Sequence, residues 1–112
     1  MKLPHLEQAE VAEAKIRDYL LSETHPDGKD KAAFFLSFGF SPQAWELLAQ
    51  ALRNHAAAYE VARTTETEHG IKYVVDGVLL SPDRRNPVVR AVWIVDNGEI
   101  NPRLVSAYPR KR

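Results

Sequence analysis

The feature that most constrains this fold is a change of hydrophobic period near residue 58. Up to that point apolar residues recur at the spacing of an amphipathic helix; beyond it they alternate with the two-residue period of a strand. Helices gathered in one half and strands in the other predict an α+β fold, since alternating βαβ units would interleave the two periods. With 112 residues in all, the expectation is one domain: a helical part over 1–58, an antiparallel sheet over 59–109 and a basic tail over 110–112.

Three helices account for the first half. Ile16, Tyr19 and Leu20 line one face of a segment from 12 to 21. The Pro26 and Gly28 that punctuate residues 24–28 make that stretch a loop. A second helix follows from 29 to 38, with Gly39 placed for a left-handed C-terminal cap. Ser41-Pro42 reads as an N-cap followed by proline at the first helical position, where a missing N–H costs nothing. From there to 57, Trp45, Leu48, Ala49, Leu52 and Ala56 form a stripe of helical periodicity.

Four strands account for the second half, over 58–67, 71–80, 87–96 and 103–108. Asn97-Gly98 carries the signature of a tight hairpin turn, and the short connections predict an antiparallel meander. The three helices should cover one sheet face and leave the other partly open. Ile71, Tyr73, Val75, Val89, Ala91, Trp93, Val95, Val105 and Ala107 share the expected core parity. Lys72, Arg90, Ser106 and Tyr108 share the other, together with Val74, Val88, Val92 and Ile94. A one-residue bulge would swap that assignment locally.

Composition narrows the chemistry. The chain has no cysteine, so thiolate metal sites, disulfides and cysteine nucleophiles are excluded. His5, His25, His55 and His69 are dispersed, and no phosphate-cradling or dinucleotide glycine motif is present, so neither a metal nor a cofactor is expected. The formal net charge is zero, which argues against strong non-specific nucleic-acid binding. The balance is uneven: residues 1–58 carry six basic and eight acidic groups, the remainder nine and seven. With no apolar leader or membrane-length run, a soluble cytoplasmic protein is expected.

The strongest constellation joins His25 and Lys31, at the start of the second helix, to Lys72, Arg90, Ser106 and Tyr108 on the sheet. Helix N-termini attract anions, and an imidazole there is suited to proton transfer near neutral pH. Metal-free RNA cleavage needs a base for the 2′-hydroxyl, an acid for the leaving oxygen and donors for the phosphorane charge, which are the residue types of this set. Each also has an ordinary explanation, as loop histidine, surface lysine, cross-strand ion pair or strand former.

His25-Pro-Asp-Gly-Lys-Asp-Lys31-Ala-Ala-Phe-Phe35, Gly39-Phe40, Trp45, Gly70-Ile-Lys-Tyr73, Val92-Trp93-Ile94 and Ser106-Ala-Tyr-Pro109 together resemble an uncharacterised bacterial domain family. Its pattern is HPxGxxKAxFF…GxKY…VW…TAYP, with Ser106 standing where threonine is usual. The resemblance spans nearly the whole chain and implies a domain of unknown function, with no activity attached. More distantly, helices followed by a four-stranded meander are similar to the barnase, EndoU, colicin and RelE-like ribonuclease toxins. That likeness implies a helix-side His or Lys and late-strand Ser and Tyr as cleavage residues, with RNA as substrate and a small neutralising protein as partner. The balanced charge favours free RNA or tRNA over ribosome docking. The competing reading is a non-catalytic binding module, such as an antitoxin, immunity protein or regulatory subunit, that uses Val92 and Ile94 on the open sheet face.

Overall fold

The computed structural model describes residues 1–110, so most of the expected basic tail, Lys111 and Arg112, lies outside the described residues. Three helical segments precede a four-stranded antiparallel meander of order β1-β2-β3-β4. The strands are β1 (Val61–Glu66), β2 (Gly70–Val78), β3 (Val88–Asp96) and β4 (Arg103–Pro109). The longest helix, α3 (Trp45–Ala58), is entered through a 3-10 turn over Pro42–Ala44. The Ser41 side chain caps that turn by accepting the Ala44 N–H at 3.3 Å. Before it, α2 (Lys29–Ser37) ends at Gly39, whose φ of 98° is the left-handed value expected of a cap.

The first helix departs from expectation. Only Glu13–Lys15, α1, is α-helical; Ile16–Leu20 then widens into a π turn closed by the Leu21 N–H on the Ile16 carbonyl at 2.7 Å. The wider turn lets Ile16, Leu20 and Leu21 all enter the core and leaves Tyr19 half-buried at its margin.

The sheet packs the expected parity against the helices. Val75, Val89, Ala91, Trp93 and Ala107 are buried with Phe35, Leu48, Leu52 and Ala56 in one apolar cluster. Burying an aromatic of that size ranks among the largest single terms in such a core, and Trp93 is fully inaccessible. His55 ties α3 to the sheet, its Nε2 lying 3.1 Å from the Gly77 carbonyl and 2.9 Å from that of Val89.

One parity assignment changes. The β3–β4 register slips between Val92 and Trp93, so Val92 faces Ser106 while Trp93 faces Leu104. A bulge has inserted Val105 as the extra residue. Leu104 therefore takes the core position expected of Val105, at 3% exposure. On the opposite face Val74 and Ile94 are buried although no helix covers them, at 5% and 4% exposure. By register their flanking partners are Arg63 and Val92 for Val74, and Lys72 and Arg103 for Ile94.

Candidate functional site

The π turn, the 24–28 loop, the start of α2 and β4 converge on the side chain of Tyr19. Ser106, 87 residues later in the chain, places its Oγ 3.2 Å from the Tyr19 hydroxyl. The Lys31 ammonium, from the first turn of α2, lies 5.1 Å from the Tyr19 ring centroid. The Lys15 ammonium, one helical turn before Tyr19, lies at the same distance of 5.1 Å. The His25 ring meets the Tyr19 ring edge-on, with centroids 5.1 Å apart and planes at 75°. All five residues are half-buried, packed in place yet reachable from solvent.

Local backbone structure explains this convergence. His25 caps the loop into α2: its Nδ1 accepts the N–H groups of Asp27 at 3.0 Å and Gly28 at 3.1 Å. This is the geometry an asparagine or aspartate side chain gives at a helix start, here supplied by an imidazole. Gly28 then passes directly over the backbone of Tyr19. A Cβ at Gly28 would stand 2.2 Å from the Tyr19 carbonyl oxygen, so only glycine allows this approach. Lys31 is steadied by donating to the Asp27 carbonyl at 3.3 Å.

The electrostatics are one-sided. Among the described residues, no carboxylate lies within ion-pair distance of Lys15 or Lys31. Burial pushes the Tyr19 phenol up, but contact with Lys31 and Ser106, with the charges of Lys31 and Lys15 behind it, outweighs that and holds it below its ordinary value. Lys15 also lines a groove of about 440 Å³ with Glu10, Arg53 and Arg103. The groove is mixed in charge, since Glu10 lines it and Arg103 pairs with Asp96 at 2.7 Å.

Of the sequence-predicted residues, His25, Lys31 and Ser106 come together here. The other three do not touch this cluster. Arg90 forms a two-point ion pair with Asp76, at 2.8 and 2.9 Å, and Arg110 joins the same carboxylate at 3.2 Å. Hydrogen bonding from Arg90, assisted by Arg110, holds the Asp76 carboxyl below the usual carboxylate range despite its partial burial. Tyr108 is the β4 partner of Arg90, two residues along from Ser106. Lys72 sits in mid-sheet between Thr65 and Ile94. Tyr19 and Lys15 were not singled out by sequence reasoning. The available signal was a polar-tipped aromatic on an apolar helical stripe, with a lysine four residues before it.

Among the described residues no three His, Asp or Glu side chains gather into a group able to hold a metal, and no helix is long and apolar enough to cross a membrane. The groups at Tyr19 are hydrogen-bond donors, two of them charged, which suits an anionic oxygen. The chain belongs to the family described as domain of unknown function DUF6883, which it matches over residues 2–111. No curated protein matches its sequence. Among solved structures, a chain of a contact-dependent growth inhibition toxin–immunity protein complex from Klebsiella pneumoniae 342 is similar in fold. The TM-score is 0.73 at 14% identity, covering 96% of this chain and 97% of that one.

Proposed function

We propose that this DUF6883 protein is a toxin-like, metal-independent ribonuclease, acting by general acid–base chemistry and held in check by a small protein partner. The observation that carries this reading is the meeting of Lys15, Lys31, His25 and Ser106 around one phenol, with the lysines uncompensated by any carboxylate among the described residues. Two ammonium groups and two hydroxyls match the charge and donor count of a phosphodiester approaching its transition state. The adjoining groove adds Arg53 and Arg103 beyond Lys15, with Glu10 among them, and extends the site along one flank for a single strand. The fold it shares with a chain from a toxin–immunity protein complex supports both the toxin setting and a protein partner.

The binding-module alternative draws less support from the open sheet face. Ile94 and Val74 are nearly inaccessible there, and only half-buried Val92 remains of its two apolar contacts. Induced expression in a bacterial host, followed by incubation of purified protein with total RNA in EDTA, tests the reading. Growth arrest and RNA fragments ending in 2′,3′-cyclic phosphate are expected. Normal growth together with intact RNA would overturn it.

A further inference from the structure

The proton chemistry of this site is narrowed by how each group is already engaged. Two backbone N–H groups point at Nδ1 of His25, so Nδ1 presents its lone pair and the neutral ring carries its proton on Nε2. In that tautomer Nε2 cannot accept a proton. Giving one up would leave an imidazolate, and protonating Nδ1 would release the cap. His25 is therefore committed to holding the loop. Lys31 and Lys15 are ammonium groups without lone pairs at neutral pH. That leaves the Tyr19 hydroxyl, hydrogen-bonded to Ser106 on a ring that both lysines and His25 contact.

We infer that Tyr19 is the catalytic base of the proposed ribonuclease, that Lys31 is the acid for its leaving oxygen, and that His25 is a positioning residue. The inference rests on the reading of the site as a ribonuclease centre. Tyr19, as phenolate, takes the proton of the ribose 2′-hydroxyl, and the 2′-oxygen forms a bond to the adjacent phosphorus. The bond from phosphorus to the 5′-oxygen breaks, and that oxygen takes a proton from the Lys31 ammonium. The products are a 2′,3′-cyclic phosphate and a 5′-hydroxyl, and water returns the phenol's proton to the Lys31 amine. Ser106 donates to the phenolate and fixes it, while Lys15 faces the same ring and adds positive charge beside the phosphate. The lowered phenol fits this role, since the same cations that favour phenolate also favour the phosphorane.

The decisive comparison uses the full chain with a short RNA as substrate and a 2′-O-methyl oligonucleotide of the same sequence as a non-cleavable ligand. Tyr19→Phe is expected to lose about 100-fold or more in cleavage, in line with removal of a general base, while binding the 2′-O-methyl strand within a few-fold of wild type. Log kcat/KM of the wild type should climb with pH above 7, and the residual rate of Tyr19→Phe should not. His25→Ala should be strongly impaired and His25→Asn should recover most activity, because an asparagine Oδ1 caps the same two N–H groups. Wild-type cleavage that persists in Tyr19→Phe, or His25→Asn as inactive as His25→Ala, would overturn the assignment and leave the ribonuclease reading standing. Wild-type protein that binds the 2′-O-methyl strand but cleaves no RNA overturns both.

Discussion

Two clusters on neighbouring rungs of β4 treat positive charge in opposite ways. At Arg90 and Tyr108, two guanidinium groups share the Asp76 carboxylate, and each cation there touches an opposite charge. At Ser106, two residues back along the strand, Lys15 and Lys31 flank a phenol with no carboxylate partner among the described residues. The first arrangement is complete as it stands and behaves as a strut between β2, β3 and the end of β4. The second leaves its favourable electrostatics to be realised by an incoming anion. Composition hides this difference, because the two sets contain much the same residue types.

The contrast can be broken most sharply by supplying the missing carboxylate. Ser106→Asp would neutralise the lysines from within and should lower RNA cleavage by about 100-fold or more while leaving the fold cooperative; single-turnover assays and circular dichroism read the two separately. Gly28→Ala drives a Cβ into the Tyr19 carbonyl and should cost about 1–3 kcal/mol in urea unfolding, as overpacking does, with loss of activity beyond the loss of stability.

Asp76→Asn should cost about 1–2 kcal/mol by stranding two guanidinium groups. Lys31→Met should change stability by no more than about 0.5 kcal/mol. Equal effects in urea titrations of the two variants would erase the distinction between strut and site.

A pH dependence separates both clusters from the core beneath them. Burial pushes the His55 imidazole down, partly offset by the carbonyls of Val89 and Gly77 and the charge of Asp76, and its Nδ1 has no partner. The unfolded chain then binds the proton more readily. Stability is fully present above the ordinary histidine value of about 6.5 and falls below it by at most about 1.4 kcal/mol per pH unit. The Asp76 strut holds through that window and weakens only as pH falls below the usual carboxylate range, because its shift is downward in an acid. Thermal melts of wild type and His55→Gln between pH 5 and 8 check the order: the pH slope should be shallower in the variant.

Much of this architecture is legible in the sequence because periodicity is a local property. The stripe from Trp45 to Ala56, the Ser41-Pro42 start, the cap at Gly39 and the four strands all lie within a few residues of their expected positions. Two departures have non-local causes. The π turn at Ile16–Leu20 admits both Leu20 and Leu21 to a core built mostly by later residues, so no signal within the helix announces it. The β4 bulge falls in Leu104-Val105-Ser106, where two adjacent apolar residues leave the parity open until Trp93 selects Leu104 as its partner. The candidate site was half legible for the same reason. His25, Lys31 and Ser106 carry recognisable chemistry, but Tyr19 reads as core until a strand 87 residues away supplies its hydrogen bond.

The bulge has a further consequence, for how copies of the chain meet one another. β4 ends the sheet, and a regular edge strand there would present a row of unpaired N–H and C=O groups to any other strand. At its N-terminal end Glu10 takes up two of these, donating to the Pro102 carbonyl and accepting the Leu104 N–H. The bulge then twists the middle of the strand, and Pro109 ends it without a donor. The other edge, β1, is short, with Arg63, Thr64, Thr65 and Glu66 exposed. Neither border therefore offers the long, flat, apolar margin from which sheets grow into aggregates, and the fold is guarded against its own strand-pairing tendency at both ends.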